Sequence, residues 1–293
     1  MSKWLLVDGL NMLYRCFYAI PELKRMDGLP TNALYGWVRM LWRLKDLEKT
    51  DQIAVFFDLG LPKKRITIFP QYKANRKKMP NALSQQIPWA KKICKAYGYP
   101  VIEKLGYEAD DLIASAALKI IEKNNETCIV SADKDFSQII RTKIVQILPP
   151  SSKGSLRIWE RLDSVKVQLK FGVQPKYITT YLSLIGDIVD NIPGVPGVGK
   201  KTATNWILKY GNLEKILHNI GYLKPIRFQN ILENLKAQLK INLKLITLQK
   251  NISIDSINKE KCQPQEVFLI LKTLEMEGIL KKAYERLSGY SHY

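Results

Sequence analysis

Histidine is nearly absent: His218 and His292 are the only two among 293 residues. That leaves little material for a histidine-based nucleophilic triad or a histidine metal site, so any catalysis rests on carboxylates, lysines or metals. Cysteine is sparse and scattered. Cys16, Cys94, Cys128 and Cys262 are far apart and make no C-x-x-C pair, so neither a disulfide framework nor a thiolate zinc site is expected. No apolar run of about 18 residues occurs, and Met-Ser-Lys-Trp-Leu-Leu-Val-Asp reaches an acid too soon for a signal peptide. With no lipidation signal and no clear amphipathic anchor, a membrane partner is not expected, and the chain reads as soluble and cytoplasmic. Internal repeats and low-complexity tracts are also missing. Negative charge is the last shortage: 27 Asp and Glu stand against 46 Lys and Arg, a formal charge of +19. The expected partner is a polyanion, with nucleic acid favoured over lipid.

The few acids are unevenly placed. Glu108, Asp110 and Asp111 crowd the start of a predicted helix in which Leu112, Ile113, Ala116, Ala117, Ile120 and Ile121 repeat with the spacing of a buried face. Capping accounts for one of these acids, or two. The third calls for either solvent or cations. Trp4–Val7 ends at Asp8, Ile53–Phe57 ends at Asp58, and Thr127–Val130 leads to Asp133 and Asp135. Helical segments, among them 33–45 and 113–121, lie between these apolar runs, so the alternation predicts a parallel α/β sheet. In open sheets of that kind ligands bind beyond the carboxyl ends of the strands, which puts Asp8, Asp58, Asp133 and Asp135 along one edge with Glu108, Asp110 and Asp111 beside them. Two carboxylates about 5 Å apart repel by about 3 kcal/mol at an effective dielectric of about 20. An all-oxygen cleft with many such pairs favours hard cations, and two Mg²⁺ or Mn²⁺ ions fit better than one.

Two other segments carry positive charge. Pro62–Arg65 and Tyr72–Lys78 form a basic stretch that is either a solvated loop or a phosphate guide above the acids, with Tyr72 as a stacking surface and Lys73, Arg76 and Lys77 as its cations. After Val145–Leu148, a further expected strand, residues 149–154 read as a breaker-rich loop. The pattern turns mainly helical from Val173, so a boundary near 172 divides an α/β core (1–172, basic segment near 62–97) from a helical region (173–293). Asp187 and Asp190, three apart, are expected on one face of a helix turn. Gly194, Gly197 and Gly199, followed by Lys200 and Lys201, match a P-loop only in spacing. Lys201 stands where Ser or Thr would hold magnesium, and no apolar strand precedes, so ATP binding is excluded. A glycine hairpin between two helices remains, either a plain tight turn or one whose N–H groups hold a phosphate. Ile231, Leu232, Leu235, Leu239, Val267, Phe268, Leu271 and Leu274 are expected core positions.

Taken together, Leu-Val-Asp-Gly at Asp8, Phe-Phe-Asp at Asp58, Tyr-Glu-Ala-Asp-Asp at 107–111, Ser-Ala-Asp-Lys-Asp at 131–135, Gly-Asp-Ile-Val-Asp-Asn-Ile-Pro-Gly at 186–194 and Gly-Val-Gly-Lys-Lys-Thr-Ala at 197–203 resemble the 5′ nucleases. These are the flap endonucleases and the 5′ nuclease domain of bacterial DNA polymerase I, here either a free-standing form or an excised domain. The resemblance covers nearly the whole chain and implies a PIN-like parallel-sheet nuclease core followed by a helical region with a helix-hairpin-helix element. It implies that Asp8, Asp58, Glu108 and Asp110 group around one metal and Asp133, Asp135 and Asp187 around another, with Asp111 and Asp190 acting directly or through water. Lys73 and Arg76 match the family's basic pair on an arch that passes a 5′ single strand, and Tyr14 is similar to an aromatic that stacks on substrate. The hairpin is implied to grip duplex DNA, with a K⁺ ion on backbone carbonyls. The implied activity is 5′ to 3′ exonuclease and flap endonuclease hydrolysis in replication or repair, including RNA primer removal. Its partners would be DNA with 5′ single-stranded flaps or ends and RNA–DNA hybrids, its location the bacterial or phage-type nucleoid, and its working form a monomer. Two rivals stay open from the residues alone: a PIN-type ribonuclease, which leaves the hairpin unexplained, and a non-catalytic DNA-binding scaffold, which leaves nine acids on one edge unexplained.

Overall fold

A computed structural model describes residues 2–150, 158–254 and 257–288; the expected 149–154 loop lies outside the described residues from Ser151 onward. Six strands, β1 (Lys3–Asp8), β2 (Ile53–Phe56), β3 (Val101–Ile102), β4 (Glu126–Val130), β5 (Ile144–Leu148) and β6 (Glu160–Leu162), form one sheet in the order β3-β2-β1-β4-β5-β6. All neighbours are parallel except β5 and β6. The central strands are apolar throughout because both faces are covered. Trp4, Leu6, Ala54, Phe56 and Ile129 enter one apolar cluster, whereas Leu5, Val7, Ile53, Val55 and Val130 enter another. Period-two side-chain alternation thus sends each strand into two cores.

The first helices, α1 (Gly9–Ala19) and α2 (Asn32–Glu48), cover the second of these faces. They are followed by the short α3 (Lys63–Ile68) and α4 (Asn81–Ser84), then α5 (Ile87–Ala96), which joins the second face, and α6 (Ala109–Glu122), which covers the first. The helical face predicted for α6 is observed: Leu112, Ile113, Ala116, Ala117 and Ile120 are all buried. Next come α7 (Ser164–Phe171), α8 (Ile178–Ile185), α9 (Lys200–Tyr210), α10 (Leu213–His218) and α11 (Phe228–Ile246), and finally α12 (Pro264–Thr273) and α13 (Glu277–Leu287). No helix among the described residues is long and apolar enough to cross a membrane.

Several expectations change. The apolar clusters divide by sheet face: α8 to α11 share a core with α6, while Val267, Phe268 and Leu271 of α12 and Ile279 of α13 return to the face held by α2 and α5. An amphipathic helix states that it buries one side, not against which partner. Ile231 and Leu235 are only half-buried, whereas Leu232 and Leu239 are fully so. Lys63–Arg65 is not a loop but the start of α3, and Arg65 is buried. Asp187 and Asp190 do not share a helix turn. The α8 helix stops at Ile185, and Asp187 and Ile192 exchange backbone hydrogen bonds of 2.8 Å across a tight turn.

That turn depends on close backbone contact. A Cβ on Gly194 would stand 2.3 Å from the Ile185 carbonyl, and one on Gly186, whose φ is +78°, would stand 2.4 Å from the Gly194 nitrogen. Neither neighbour is the free end of a side chain, so neither can move cheaply. Gly199, by contrast, has nothing within 4 Å of a built Cβ. Gly194→Ala is therefore expected to cost about 2 kcal/mol or more, lowering Tm by at least about 3 °C, and Gly199→Ala to leave Tm unchanged. Thermal denaturation of the two variants checks this, and equal losses would contradict it.

Candidate metal centre and nucleic-acid interface

Chain order reverses on either side of β1, with β2 and β3 on one flank and β4 to β6 on the other. The crevice beyond the carboxyl ends of β1 and β4 is therefore the place where a ligand finds no connecting loop in its way. Asp8, the last residue of β1 and not one beyond it, caps α1 there by accepting from Asn11 N at 3.2 Å. Its other oxygen accepts from Ser131 Oγ at 2.8 Å, just past β4. Asp58 follows β2 and caps α6, accepting from Ala109 N at 2.8 Å. Asp133 accepts from Asp135 N at 2.9 Å. Asp187 and Asp190 arrive from the turn after α8, where Asp187 accepts from Val189 N at 3.0 Å.

Cations bind some of these acids and spare others. Lys73 pairs with Glu108, Arg76 lies 2.6 Å from Asp190, and Lys134 lies 2.9 Å from Asp187. Arg65 contacts Glu108 and holds Asp111 through Nη1 at 2.6 Å and Nη2 at 2.9 Å. Glu108, Asp110 and Asp111 bring carboxylate oxygens within 4.8 Å of one another, close enough to share a metal ion. Asp111, expected to reach a metal directly or through water, spends its oxygens on Arg65 and on the Gln249 N–H at 2.8 Å.

Burial pushes Asp8 up to about 7 against the pull of the Ser131 hydroxyl, with Asp58 and Asp133 adding to the rise. Burial also raises Asp58, against the Ala109 N–H. Asp110 is raised well above the carboxylate range by burial, Glu108 and Asp111, and Asp135 by burial, Asp133, Asp190 and Asp187. Asp133 is raised by burial, which outweighs the Asp135 N–H. Asp190 goes the other way: burial would raise it, but Lys73 and Arg76 prevail and hold it down. Asp135 Oδ1 is buried and has no hydrogen-bond partner. An orphaned oxygen among carboxylates driven toward protonation is what a cation would satisfy, and the all-oxygen donor set suits a hard one. The residues present fit divalent metal.

One consequence is measurable as stability. Folded Asp8 titrates near 7 and its unfolded counterpart near 3.8, so between those values the folded chain binds more protons and stability falls as pH rises. The interval corresponds to about 4 kcal/mol at most. Divalent cations substitute for the lost protons, so about 10 mM Mg²⁺ is expected to raise Tm more at about pH 8 than at about pH 5. Scanning calorimetry with Mg²⁺ and with chelator checks this; equal increments at the two values would contradict it.

The basic stretch behaves differently from its expected role. Tyr72 is no stacking surface: it is 6% exposed, and its hydroxyl meets Asp190 Oδ2 at 3.1 Å and Glu108 Oε2 at 3.3 Å. Lys73 holds a left-handed backbone, φ 59°, and its N–H donates to Asp190 O at 3.1 Å, fastening this stretch to the acidic turn. Arg76 and Lys77 are exposed. Tyr14 stands half-buried on α1 within the field of Arg76. At the hairpin, Gly197 (φ +75°) and Gly199 are exposed, Gly199 opens α9, and Lys200 and Lys201 project from its first turn. Arg65, Ser131 and Lys134 are site residues that the sequence reading missed. Nothing local separates Arg65 from Lys63 and Lys64; its signal was the surplus of acids at 108–111, which needed a buried cation.

The family model described as 5′-3′ exonuclease, N-terminal resolvase-like domain matches residues 3–172, and the one described as 5′-3′ exonuclease, C-terminal SAM fold matches residues 173–267. The chain is 37% identical to a 5′-3′ exonuclease of Aquifex aeolicus over 298 residues, covering 98% of this chain and 99% of that one. It is 32% identical to DNA polymerase I of Bacillus subtilis over 97% of its own length, but spans only 32% of that relative. In three dimensions it is similar to the T5 5′-exonuclease with divalent metal ions (zinc) bound, at a TM-score of 0.69 and 20% identity, covering 98% of this chain and 99% of that one.

Proposed function

The chain belongs to the 5′-3′ exonuclease family, and from that premise we propose that its cleft hydrolyses phosphodiester bonds where a 5′ single strand meets a duplex. The observation that carries this reading is the buried, unpartnered Asp135 oxygen within a group of desolvated acids at the sheet's reversal point. Asp8, Asp58, Glu108 and Asp110 would hold one divalent ion and Asp133, Asp135 and Asp187 a second, Mg²⁺ or Mn²⁺, with Asp190 anchoring the basic stretch. When bound, such ions lower the pKa of water and stabilise a departing 3′ oxygen, so the product carries a 5′-phosphate.

The chain's own side chains orient the substrate. Arg76, with 47% of its side chain exposed beside Asp190, reaches outward to a phosphate, and the less exposed Lys73 offers a second cation at the floor of the same opening. Both would counter charge developing on the phosphate under attack. Tyr14 lies within the field of Arg76, and a base next to that phosphate would stack on its ring. At the hairpin, Gly197 and Gly199 leave backbone N–H groups accessible, and Lys200 and Lys201 supply charge at the start of α9, an arrangement suited to duplex phosphates. Gly194 supports the turn through its close backbone packing on Ile185 and belongs to the same hairpin contact. A K⁺ ion on hairpin carbonyls, action on RNA–DNA hybrids, a monomeric working form and a place in replication, repair or primer removal belong to the same reading.

Cleavage of a 5′-labelled flap on a duplex, set against matched single strands of DNA and RNA with Mg²⁺ present, tests it. Cutting near the flap base is expected. Cutting of RNA alone would transfer the cleft to a ribonuclease, and tight flap binding without cutting would leave only a scaffold.

A further inference from the structure

Beyond the acidic cleft lies a groove of about 460 Å³ between the segment before α6 and the segment after α11. It is lined by Lys64, Lys104, Tyr107, Gln249, Lys250 and Ser253 among others. The lysines here differ from most cations around the cleft. Arg65, Lys73, Arg76 and Lys134 are each paired with a carboxylate. Among the described residues, Lys64, Lys104 and Lys250 make no ion pair with one. Lys64 Nζ donates to Gln249 Oε1 at 3.0 Å, and Lys104 Nζ donates to Ser253 O at 2.8 Å, both neutral acceptors. The same two ammonium groups sit 5.9 and 5.6 Å from the centre of the Tyr107 ring. Neutral partners fix their positions without cancelling their charge. Burial and nearby Arg141 lower Lys250, as expected where positive charge is uncompensated.

Placement indicates what these charges are for. Tyr107 immediately precedes Glu108, and Gln249 touches both compartments: its backbone N–H donates to Asp111 Oδ1 at 2.8 Å, and its side chain accepts from Lys64. The groove and the acidic cleft therefore share a wall. The hairpin reaches the other end of α11, where Gly197 faces Phe228. From Phe228 to Ile246 a helix of this length rises about 27 Å. Asn242, late in α11, donates to Ser183 O at 3.2 Å and Pro193 O at 2.6 Å beside the turn that carries Asp187 and Asp190, and Arg65, which holds Asp111, donates to Leu245 O at 2.8 Å, so these acids lie toward the groove end of the helix. A strand that leaves a duplex at the hairpin and crosses the acids comes next to this groove.

Resting on the nuclease reading above, we propose that the groove of Lys64, Lys104, Tyr107 and Lys250 is a binding site for the phosphates of the 5′ single strand on the far side of the cleft from the duplex. The site is selective for flaps long enough to reach it. Two phosphates held there contribute about 1.4 to the slope of log affinity against log salt for a single strand.

The test compares kcat/KM in Mg²⁺ for duplexes carrying a one-nucleotide flap and a flap of about ten nucleotides, using the full chain and its Lys104→Glu variant. Lys104 is exposed, so the substitution leaves folding intact. The variant is expected to lose about tenfold on the long flap and less than about twofold on the short one, and its salt slope on the long flap should become shallower. The pair Lys104→Gln/Lys250→Gln should repeat the pattern without introducing a negative charge. Equal losses on both flaps, or none on either, would overturn the assignment. A wild-type chain that cuts neither flap would instead contradict the nuclease reading beneath it.

Discussion

Asp135→Asn will lower the rate of flap cleavage by about 10³-fold or more while leaving DNA affinity unchanged or slightly stronger. The side chain is 8% exposed and one oxygen has no partner, so Asn keeps the shape of a buried group that makes little use of its charge within the protein. What it loses is a negative donor for a hard cation, which a neutral amide replaces poorly. Asp135 is crowded by Asp133, Asp190 and Asp187, so deleting its charge also relieves repulsion. The metal-free variant should therefore be at least as stable as the parent and gain less from Mg²⁺. That pair of results distinguishes a metal ligand from a structural acid, whose loss lowers stability with or without metal. Single-turnover cleavage, anisotropy of a labelled flap and thermal denaturation supply the three readings; full activity would remove Asp135 from the site.

The second large effect concerns folding. Arg65 is 4% exposed, holds Asp111 with two Nη contacts, and donates through Nε to Leu245 O at 2.8 Å. It fastens the end of α11 to the start of α6 beneath the cleft. Arg65→Met leaves Asp111, which is 0% exposed, as a buried carboxylate with only the Gln249 contacts. Breaking a buried pair from one side costs about 3–5 kcal/mol, whereas removing both charges is close to neutral. Arg65→Met is thus expected to lower Tm by about 5–8 °C, and Arg65→Met/Asp111→Asn to recover most of the loss. Additive losses in the double variant would show that the two residues act independently.

What the sequence disclosed follows from how each element is stabilised. β1, β2 and β4 are buried on both faces, so they read as apolar runs, and the acids at their ends fall on one edge by a general rule of parallel sheets. β6 escaped notice because Glu160–Leu162 is a short edge strand with little to bury. The Asp187–Asp190 pair looked helical by spacing, but the chain is bent there by Gly186 and Gly194 packing backbone on backbone, a contact eight residues apart that no periodicity records. Tyr72 and Arg65 looked like exposed members of a basic run. Their burial is decided by Glu108, Asp111 and Asp190, which lie 36, 46 and 118 residues away in the relevant contacts. Local composition sets how much charge a segment carries; long-range partners decide which charges face water.

Diffraction from crystals grown with Mn²⁺, recorded at the manganese edge, addresses the two-ion centre most directly. Two anomalous peaks are expected in the cleft, one among Asp8, Asp58, Glu108 and Asp110 and one among Asp133, Asp135 and Asp187, with Asp111 still on Arg65. A cleft without a peak, its carboxylates closed on Lys73, Arg76 and Lys134 as ion pairs, would contradict the metal centre and with it the hydrolytic role of these acids.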